Sequence, residues 1–415
     1  MAAASSRTPM FPWRTVVLGA LIPAFVFSTG IGAIIPILPS FATERGATLA
    51  GAAVIAAMLP IGQIVADLPA GALASRIGDR RAMILAGAAA GAAFLLAGLS
   101  PSALTLGAAI LLVGCANAVF HLARHSYLTE VADPMQRARV LSTLGGVHRI
   151  GQFVGPFLGA LVSLGGDLRW VFVLAACAAA AAITTILLAR PTASESAAGP
   201  SAARASAHPP QRLWRVIRDH GRLLLTLGFC GMLVGAIRGA RQQVIPLWGE
   251  YMELEPTTIS VIYGIAGGID MLLFYPAGKV MDHMGRLWVG LPAMLGLALA
   301  MALVPLTSDA AQLTWVALLL GFTNGIGSGV MMTISSDIAP PEARPQFLGA
   351  WRLLVDIGMG AGPLTLAAGA AVGSLALGVW AAGSYGILGA GVMGRWLPRY
   401  SVHANRTTRR RAGLL

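Results

Sequence analysis

Long apolar runs, each close to 20 residues, alternate with short polar breaks along almost the entire chain. A transmembrane α-helix needs about 20 consecutive apolar residues to cross the bilayer core. Counted in this way, the pattern predicts an all-α membrane protein with twelve transmembrane helices, at approximate limits 15–41, 49–75, 81–100, 103–131, 139–164, 170–190, 222–248, 257–282, 288–306, 312–338, 346–371 and 374–395.

One long polar break divides this pattern in two. The segment "RPTASESAAGPSAARASAHPPQRLWRVIRDHGR" is rich in Ala, Ser and Pro, which is typical of a linker. We therefore predict a six-helix bundle at 1–191, a cytoplasmic linker at 192–221, a second six-helix bundle at 222–396 and a basic cytoplasmic tail at 397–415.

Composition agrees with a membrane protein and excludes several other classes. The chain is 56% hydrophobic and 11% charged, whereas soluble domains are about 25% charged. Its three cysteines lie in apolar runs, so a disulfide framework and a CxxC metal site are both excluded. No GxxxxGK[ST], HExxH or GxSxG pattern occurs. We expect no enzyme activity, no catalytic residues, no metal and no cofactor.

Loop charges predict the orientation. With the N-terminus inside, the cytoplasmic loops, linker and tail carry most of the arginines. The outer loops carry Arg45 and Arg169 beside Glu250, Glu253 and Glu255, as the positive-inside rule expects. The net charge of +12 then reflects topology and attraction to lipid head groups rather than nucleic-acid binding. The Arg-rich, Lys-poor composition favours a bacterial inner membrane, with both termini cytoplasmic.

The two halves repeat each other at a constant offset of 207 residues. "LLVGCANAVF" from Leu111 aligns with "LLLGFTNGIG" from Leu318. Further ungapped pairs at this offset are Pro39 with Pro246, Pro69 with Pro276, Gly71 with Gly278, Gly78 with Gly285, Asn117 with Asn324, Glu130 with Asp337, Gly151 with Gly358, Gly155 with Gly362 and Pro156 with Pro363. Parallel repeats of this kind indicate a transporter whose substrate binds between two pseudo-symmetric bundles.

Four short motifs resemble the major facilitator superfamily. "GALASRIGDRR" from Gly71 is similar to the loop between its helices 2 and 3, and "GKVMDHMGR" from Gly278 is the second-half copy. "GQFVGPFLGA" from Gly151 resembles the Gly-Pro motif of antiporters, and "IIPILPSFA" from Ile34 resembles helix 1 of twelve-helix drug:proton antiporters. The resemblance implies the major facilitator fold and multidrug efflux by rocker-switch alternating access.

The loop motifs supply candidate gating residues. Glycine permits tight turns and close helix approach, and the charges either anchor helix ends in the cytoplasm or form a latch that holds the outward-facing state. These candidates are Gly71, Arg76, Gly78, Arg80, Arg81, Gly278, Asp282, Gly285 and Arg286. The stripe Gly151, Gly155 and Gly159, with Pro156, is interpreted as plain helix packing or, as the resemblance implies, as a sliding contact between the halves.

Charges inside the membrane are costly and mark functional sites. Asp270 and Arg149 lie at similar depths in helices 8 and 5, which the resemblance places side by side, so we predict an ion pair between them. Asp356, the repeat mate of Arg149, lies near Asp67. Asp356, Asp270 and Asp67 are the candidate proton-coupling residues, unless Arg352 holds Asp356 permanently ionised.

Helix 7 carries two further charges in an apolar segment. Arg238 and Arg241 share one helix face, and Gln242 follows. They either pair with Glu250, Glu253 or Glu255 or recognise an acidic substrate. With Arg149, Asn117 and Asn324 they are the candidate substrate-binding residues. The histidines near Arg124 fit no metal site and are interpreted as packing residues.

Together these features predict a proton-coupled exporter of small anionic, zwitterionic or neutral amphiphiles. Its partners would be the substrate, protons and membrane lipids, without nucleic acid, and the protein is expected to be monomeric. Uptake by proton symport is the alternative, and a non-transporting membrane sensor is a more remote one.

Overall fold

The structure is a computed structural model that describes residues 16–132, 137–189, 218–340 and 343–413. Every regular element in these ranges is a helix. Most of the predicted linker, at 192–217, lies outside the described residues.

Twelve long helices and one short one make up the described structure. In chain order they are α1 (Val17–Glu44), α2 (Leu49–Ile77), α3 (Asp79–Gly98), α4 (Ala103–Val131), α5 (Arg137–Ser163), α6 (Arg169–Leu188), α7 (Gly221–Tyr251), α8 (Pro256–Met284), α9 (Leu287–Leu306), α10 (Ala310–Ile338), α11 (Arg344–Ala371), α12 (Leu375–Tyr400) and α13 (Arg406–Arg411). Of these, eleven are long and apolar enough to span a membrane, and α5 adds a twelfth helix of 27 residues. The predicted all-α membrane fold is confirmed.

Helix ends repeat between the halves as the sequence does. Ser102 caps α4 and Asp309 caps α10, each accepting a hydrogen bond from a backbone amide of the first turn. Gly78 and Gly285 make the turns after α2 and α8 with φ of 85° and 104°. Only glycine adopts this conformation without strain, which explains why both loop motifs place it there.

Packing inside the two sets of six helices is also equivalent. Helix α1 packs on α5 and α6, and α7 packs on α11 and α12. Likewise α2 packs on α4 as α8 packs on α10. The two sets meet mainly through α2 with α11 and α5 with α8. A site between the halves is therefore built by these four helices together with α1 and α7.

Helix α10 is broken near its middle. Its first part ends at Gly327, and a second part, Val330–Ile338, begins after Gly329, which is left-handed with φ of 81°. The break leaves the last carbonyl groups of the first part without intrahelical donors. These carbonyls lie beside α7.

The two faces of the molecule differ in the surroundings of the helix ends. We call the face with the start of α1 and the end of α12 the terminal face, and the opposite one the far face. At the far face Thr43 of α1 donates a hydrogen bond to Glu250 of α7 at 2.6 Å. At the terminal-face ends of α5, α8 and α11, the space beside Gly145, Gly278 and Gly349 is open.

Candidate substrate and proton site

A small cavity of about 60 Å³ lies at the centre of the molecule. Helices α1 and α5 of the first half and α7 and α8 of the second half form its walls. Its polar lining consists of Arg149, Gln152, Arg241, Gln242, Tyr263 and Asp270. The site is thus shared between the halves.

Asp270 pairs with both arginines that line this cavity. Its Oδ1 lies 3.6 Å from Arg149 Nη1, and its Oδ2 lies 3.2 Å from Arg241 Nη2. Asn324 Nδ2 donates a further hydrogen bond to Oδ2 at 2.7 Å. The predicted Arg149–Asp270 ion pair is confirmed, and it crosses from one half to the other. Because Arg241 contacts the same carboxylate as Arg149, one acid pairs with two guanidinium groups.

Arg149 and Arg238 find additional partners nearby. The guanidinium of Arg149 stacks 4.5 Å from the centroid of the Phe274 ring, a cation–π contact. Arg238 Nη2 donates to the carbonyl oxygen of Gly327 at 2.5 Å, at the break in α10. The negative end of a helix dipole stabilises a cation there. Arg238 Nε, however, is buried without a hydrogen-bond partner.

The alternative that Arg238 and Arg241 pair with the outer glutamates is wrong. Their partners are Gly327 and Asp270, whereas Glu250 accepts the hydrogen bond of Thr43. Nine residues separate Arg241 from Glu250 along the helix, a rise of about 13 Å, so the glutamates lie at the far face and beyond reach.

The other predicted substrate residues differ in position. Gln242 lines the cavity. Asn324 donates a hydrogen bond to Asp270 and is not part of the cavity lining. Asn117 is buried within α4 and is not part of the cavity lining.

A second group of charges joins the halves where α2 meets α11. The carboxyl groups of Asp67 and Asp356 lie at hydrogen-bonding range of each other. Arg352 Nε lies 3.4 Å from Asp356 Oδ2, but its side chain is 64% exposed. The contact with Arg352 that the sequence left open is therefore present. Water weakens such an exposed ion pair, whereas two adjacent carboxyl groups are held together best when one carries a proton.

A basic group in the first half is more deeply buried than the sequence suggested. Arg124 is only 2% exposed, and its Nη2 lies 3.3 Å from both ring nitrogens of His121. The His121 ring packs edge-on against His148, at 4.7 Å between centroids, and His148 Nδ1 bonds to the Ser28 hydroxyl. The spacing of His121 and Arg124 along one helix was visible in the sequence. The sequence did not show that, among the described residues, no acid faces these two side chains.

The loop-motif charges stay within their own halves in this conformation. Arg80 donates to the carbonyls of Ile186 and Ala189 at the end of α6. Arg286 pairs with Asp337 at 3.0 Å and Asp282 at 3.4 Å. The side chains of Arg76 and Arg81 are exposed, and little crowds the Cβ positions of Gly71 and Gly278. A latch between the halves stays a prediction for another conformation.

The glycine stripe of α5 packs inside the first half. A Cβ on Gly155 would lie 2.7 Å from the Ala33 backbone nitrogen, and one on Gly159 would lie 2.9 Å from the Ala33 oxygen. Gly151 continues this face along α1, and Pro156 lies within the same helix, α5. The contact of α5 with the other half is made by Phe153 and Phe157, which pack on glycines of α8. Helix packing within the first half is therefore what these glycines provide in this conformation, and a role in sliding between the halves stays a prediction.

Comparison with known proteins decides the family. The sequence model described as Major Facilitator Superfamily matches residues 20–363. The chain belongs to this superfamily. Members carry small molecules across membranes and are generally not enzymes, so the protein is a multi-pass membrane transporter.

Similar proteins include a curated multidrug transporter and two solved structures. The multidrug resistance protein MdtH of Shigella boydii serotype 4 (strain Sb227) is 25% identical over 291 residues, 69% of either chain. The nucleoside transporter NupG matches with a TM-score of 0.73 at 13% identity, over 93% of this chain and 98% of that one. A bacterial homologue of the human lysosomal transporter Spinster, inward-facing and unoccupied, matches with a TM-score of 0.70 at 14% identity, over 92% of this chain and 96% of that one. The two structures establish the major facilitator fold alone.

Proposed function

We propose that the protein is a proton-coupled exporter of small amphiphilic compounds, with anionic ones favoured over zwitterionic and neutral ones. The observation that carries this proposal is the position of Asp270, which binds Arg149 of the first half and Arg241 of the second half in the central cavity. A ligand that competes for these groups would act on both halves at once.

The charge of the cavity favours an acidic substrate. Two guanidinium groups, on Arg149 and Arg241, share the carboxylate of Asp270, and the nearby Arg238 is bonded to the Gly327 carbonyl rather than to an acid. Buried cations retain their charge only where anions or wet cavities compensate it. An acidic group on the substrate would take the place of Asp270 on Arg149 and Arg241, and the arginine forks would bind it with two hydrogen bonds each.

The proton would be carried by carboxyl groups at the contacts between the halves. Asp67 and Asp356 face each other where α2 meets α11, and Asp270 lies where α5 meets α8. Rocking of one half against the other would separate both contacts. Proton binding to Asp356, Asp67 and the displaced Asp270 would then accompany each exchange of conformation.

The charge of the loops supports an orientation of the protein in the membrane. The terminal face carries the arginine-rich loops and the tail helix α13, so the positive-inside rule makes it cytoplasmic. An exporter would load its substrate from this side of the membrane. The Gly-Pro motif of α5 and the similarity to a multidrug resistance protein support export across the inner membrane.

Proton movement in proteoliposomes tests this proposal. Under an imposed pH gradient, anionic, neutral and cationic amphiphiles are added in turn to the parent and to Arg241→Ala, Asp356→Asn and the control Arg395→Ala. Arg395 is exposed near the end of α12. We expect anionic compounds to collapse the gradient in the parent and control, and each of the two site variants to lose the response.

Two results would contradict the proposal. If cations alone move protons, or if Arg241→Ala transports anions normally, the arginines are structural and the substrate class is wrong. If substrate and protons move in the same direction, the protein is a symporter.

A further inference from the structure

Arg124 of α4 is a buried cation without an anion. Its side chain is 2% exposed, and Nε and Nη1 have no hydrogen-bond partner. In the described part of the chain no carboxylate lies within 4.0 Å of it. Only Nη2 has polar neighbours, the ring nitrogens of His121.

The surroundings of Arg124 offer polar hydrogens and no negative charge. His121 packs on His148, which bonds to Ser28, and the guanidinium of Arg124 lies 5.8 Å from the centroid of the Phe120 ring. A guanidinium cannot lose its proton in a protein, and an unpaired buried charge is strongly destabilising. The site therefore lacks one component, an anion.

We propose that Arg124 binds an oxyanion group, a carboxylate, sulfonate or phosphate, with His121, His148 and Ser28 as its polar surroundings. The planar fork of arginine fits such a group with two hydrogen bonds. His125, the residue after Arg124 on the side of the terminal face, is exposed, whereas His121, one turn deeper, is half-buried. The site lies within the first half, on α1, α4 and α5, and none of its residues lines the central cavity. It stands on this geometry and does not rest on the proposed transport function.

Sulfate is the probe for this site. Thermal unfolding of the purified full-length protein in detergent is followed with sodium sulfate or sodium chloride at equal ionic strength. We expect sulfate to stabilise the parent saturably. Arg124→Gln should weaken the apparent affinity at least about tenfold, because hydrogen bonds to a charged group are lost. The control Arg222→Gln, which changes an exposed arginine at the start of α7, should respond as the parent does.

The stability without sulfate separates anion binding from a structural role. Arg124→Gln removes an unpaired buried charge, so without an oxyanion it should unfold at the parent's temperature or above it. A loss of stability that is the same with and without sulfate would overturn the proposal. So would equal sulfate responses in Arg124→Gln and the parent, since the ion would then act elsewhere.

Two further measurements keep the proposal testable and identify the anion's source. If Arg124→Gln does not fold, sulfate must slow modification of Arg124 by phenylglyoxal in the parent, as mapped by mass spectrometry; equal modification rates would overturn the site. Protection of Arg124 by vesicles of phosphatidylglycerol, but not phosphatidylcholine, would assign the oxyanion to a lipid head group. Protection by sulfate with neither lipid would assign it to a soluble anion. Arg241→Gln tests transport alone and should leave sulfate protection of Arg124 intact.

Discussion

The two contacts between the halves have the same helix geometry and opposite chemistry. The repeat places Arg149 of α5 where Asp356 stands in α11, and Gln63 of α2 where Asp270 stands in α8. At the α5–α8 contact a carboxylate lies among two guanidinium groups and an amide. At the α2–α11 contact two carboxyl groups face each other beside one exposed arginine.

This difference shows that the repeat sets where charges can meet, but not which charges they are. Asp270, 14% exposed, is held by cations from both halves. Asp67 and Asp356 repel each other unless a proton is shared. On the proposed function, the α5–α8 contact would exchange the anion and the α2–α11 contact would exchange the proton.

The largest expected effect comes from removing the acid at the α5–α8 contact. Asp270→Asn leaves Arg149 and Arg241 without their counter-ion, so we expect a loss of about 3–5 kcal/mol in the free energy of unfolding. Chemical unfolding in detergent measures it. The control Asp219→Asn breaks the exposed pair with Arg218 and should cost less than about 1 kcal/mol.

A double variant sharpens this prediction. Asp270→Asn combined with Arg241→Gln removes an acid and one of its cations together, so part of the lost stability should return. If the double variant is simply the sum of the two single ones, Asp270 and Arg241 are not coupled and the charge balance described for this contact is wrong.

A smaller effect is expected from the packing behind the contact. Gly155→Ala places a methyl group against the α1 backbone, 2.7 Å from Ala33 N, so we expect about 1–3 kcal/mol of destabilisation. The matched control, Gly145→Ala, lies on the same helix in open space and should be neutral or stabilising by up to about 1 kcal/mol. Equal thermal unfolding of the two variants would show that α1 and α5 do not pack closely in the membrane.

The smallest change in stability is expected at the α2–α11 contact. Asp356→Asn removes one of two facing carboxyl groups, and Arg352, the cation paired with it in the described residues, is exposed. The free energy of unfolding should change by less than about 1 kcal/mol. Substrate transport, however, should lose its dependence on the pH gradient in proteoliposomes. A destabilisation as large as that of Asp270→Asn would contradict the contrast between the two contacts.

Much of this arrangement was predictable because of the repeat. The 207-residue offset related helix ends such as those at Gly78 and Gly285. Equal depths in two helices that the family resemblance places side by side predicted the Arg149–Asp270 pair. The partner of Arg238 could not be predicted, because the carbonyl of Gly327 becomes an acceptor only where α10 breaks. Hydropathy does not report such a break, since Gly329 and its neighbours continue the apolar run.

Side-chain surroundings were harder to foresee than helix positions. The acidic loop residues Glu250, Glu253 and Glu255 were near Arg241 in sequence, but helix rise carries them to the far face. Arg124 and His121 were visible as neighbours on one helix, yet only the packing of α1 and α5 around them showed that the guanidinium is buried without an acid.

The sequence by itself determined that the chain is a bundle of membrane-spanning helices in two related halves, because apolar length and the constant offset are properties of the chain alone. The tertiary structure alone decided which charges neutralise each other. Inside a membrane the energy of a charge depends on the few ångströms that separate it from its partners. Those distances are set by how α1, α5, α7, α8, α10 and α11 pack, and no single stretch of sequence contains them.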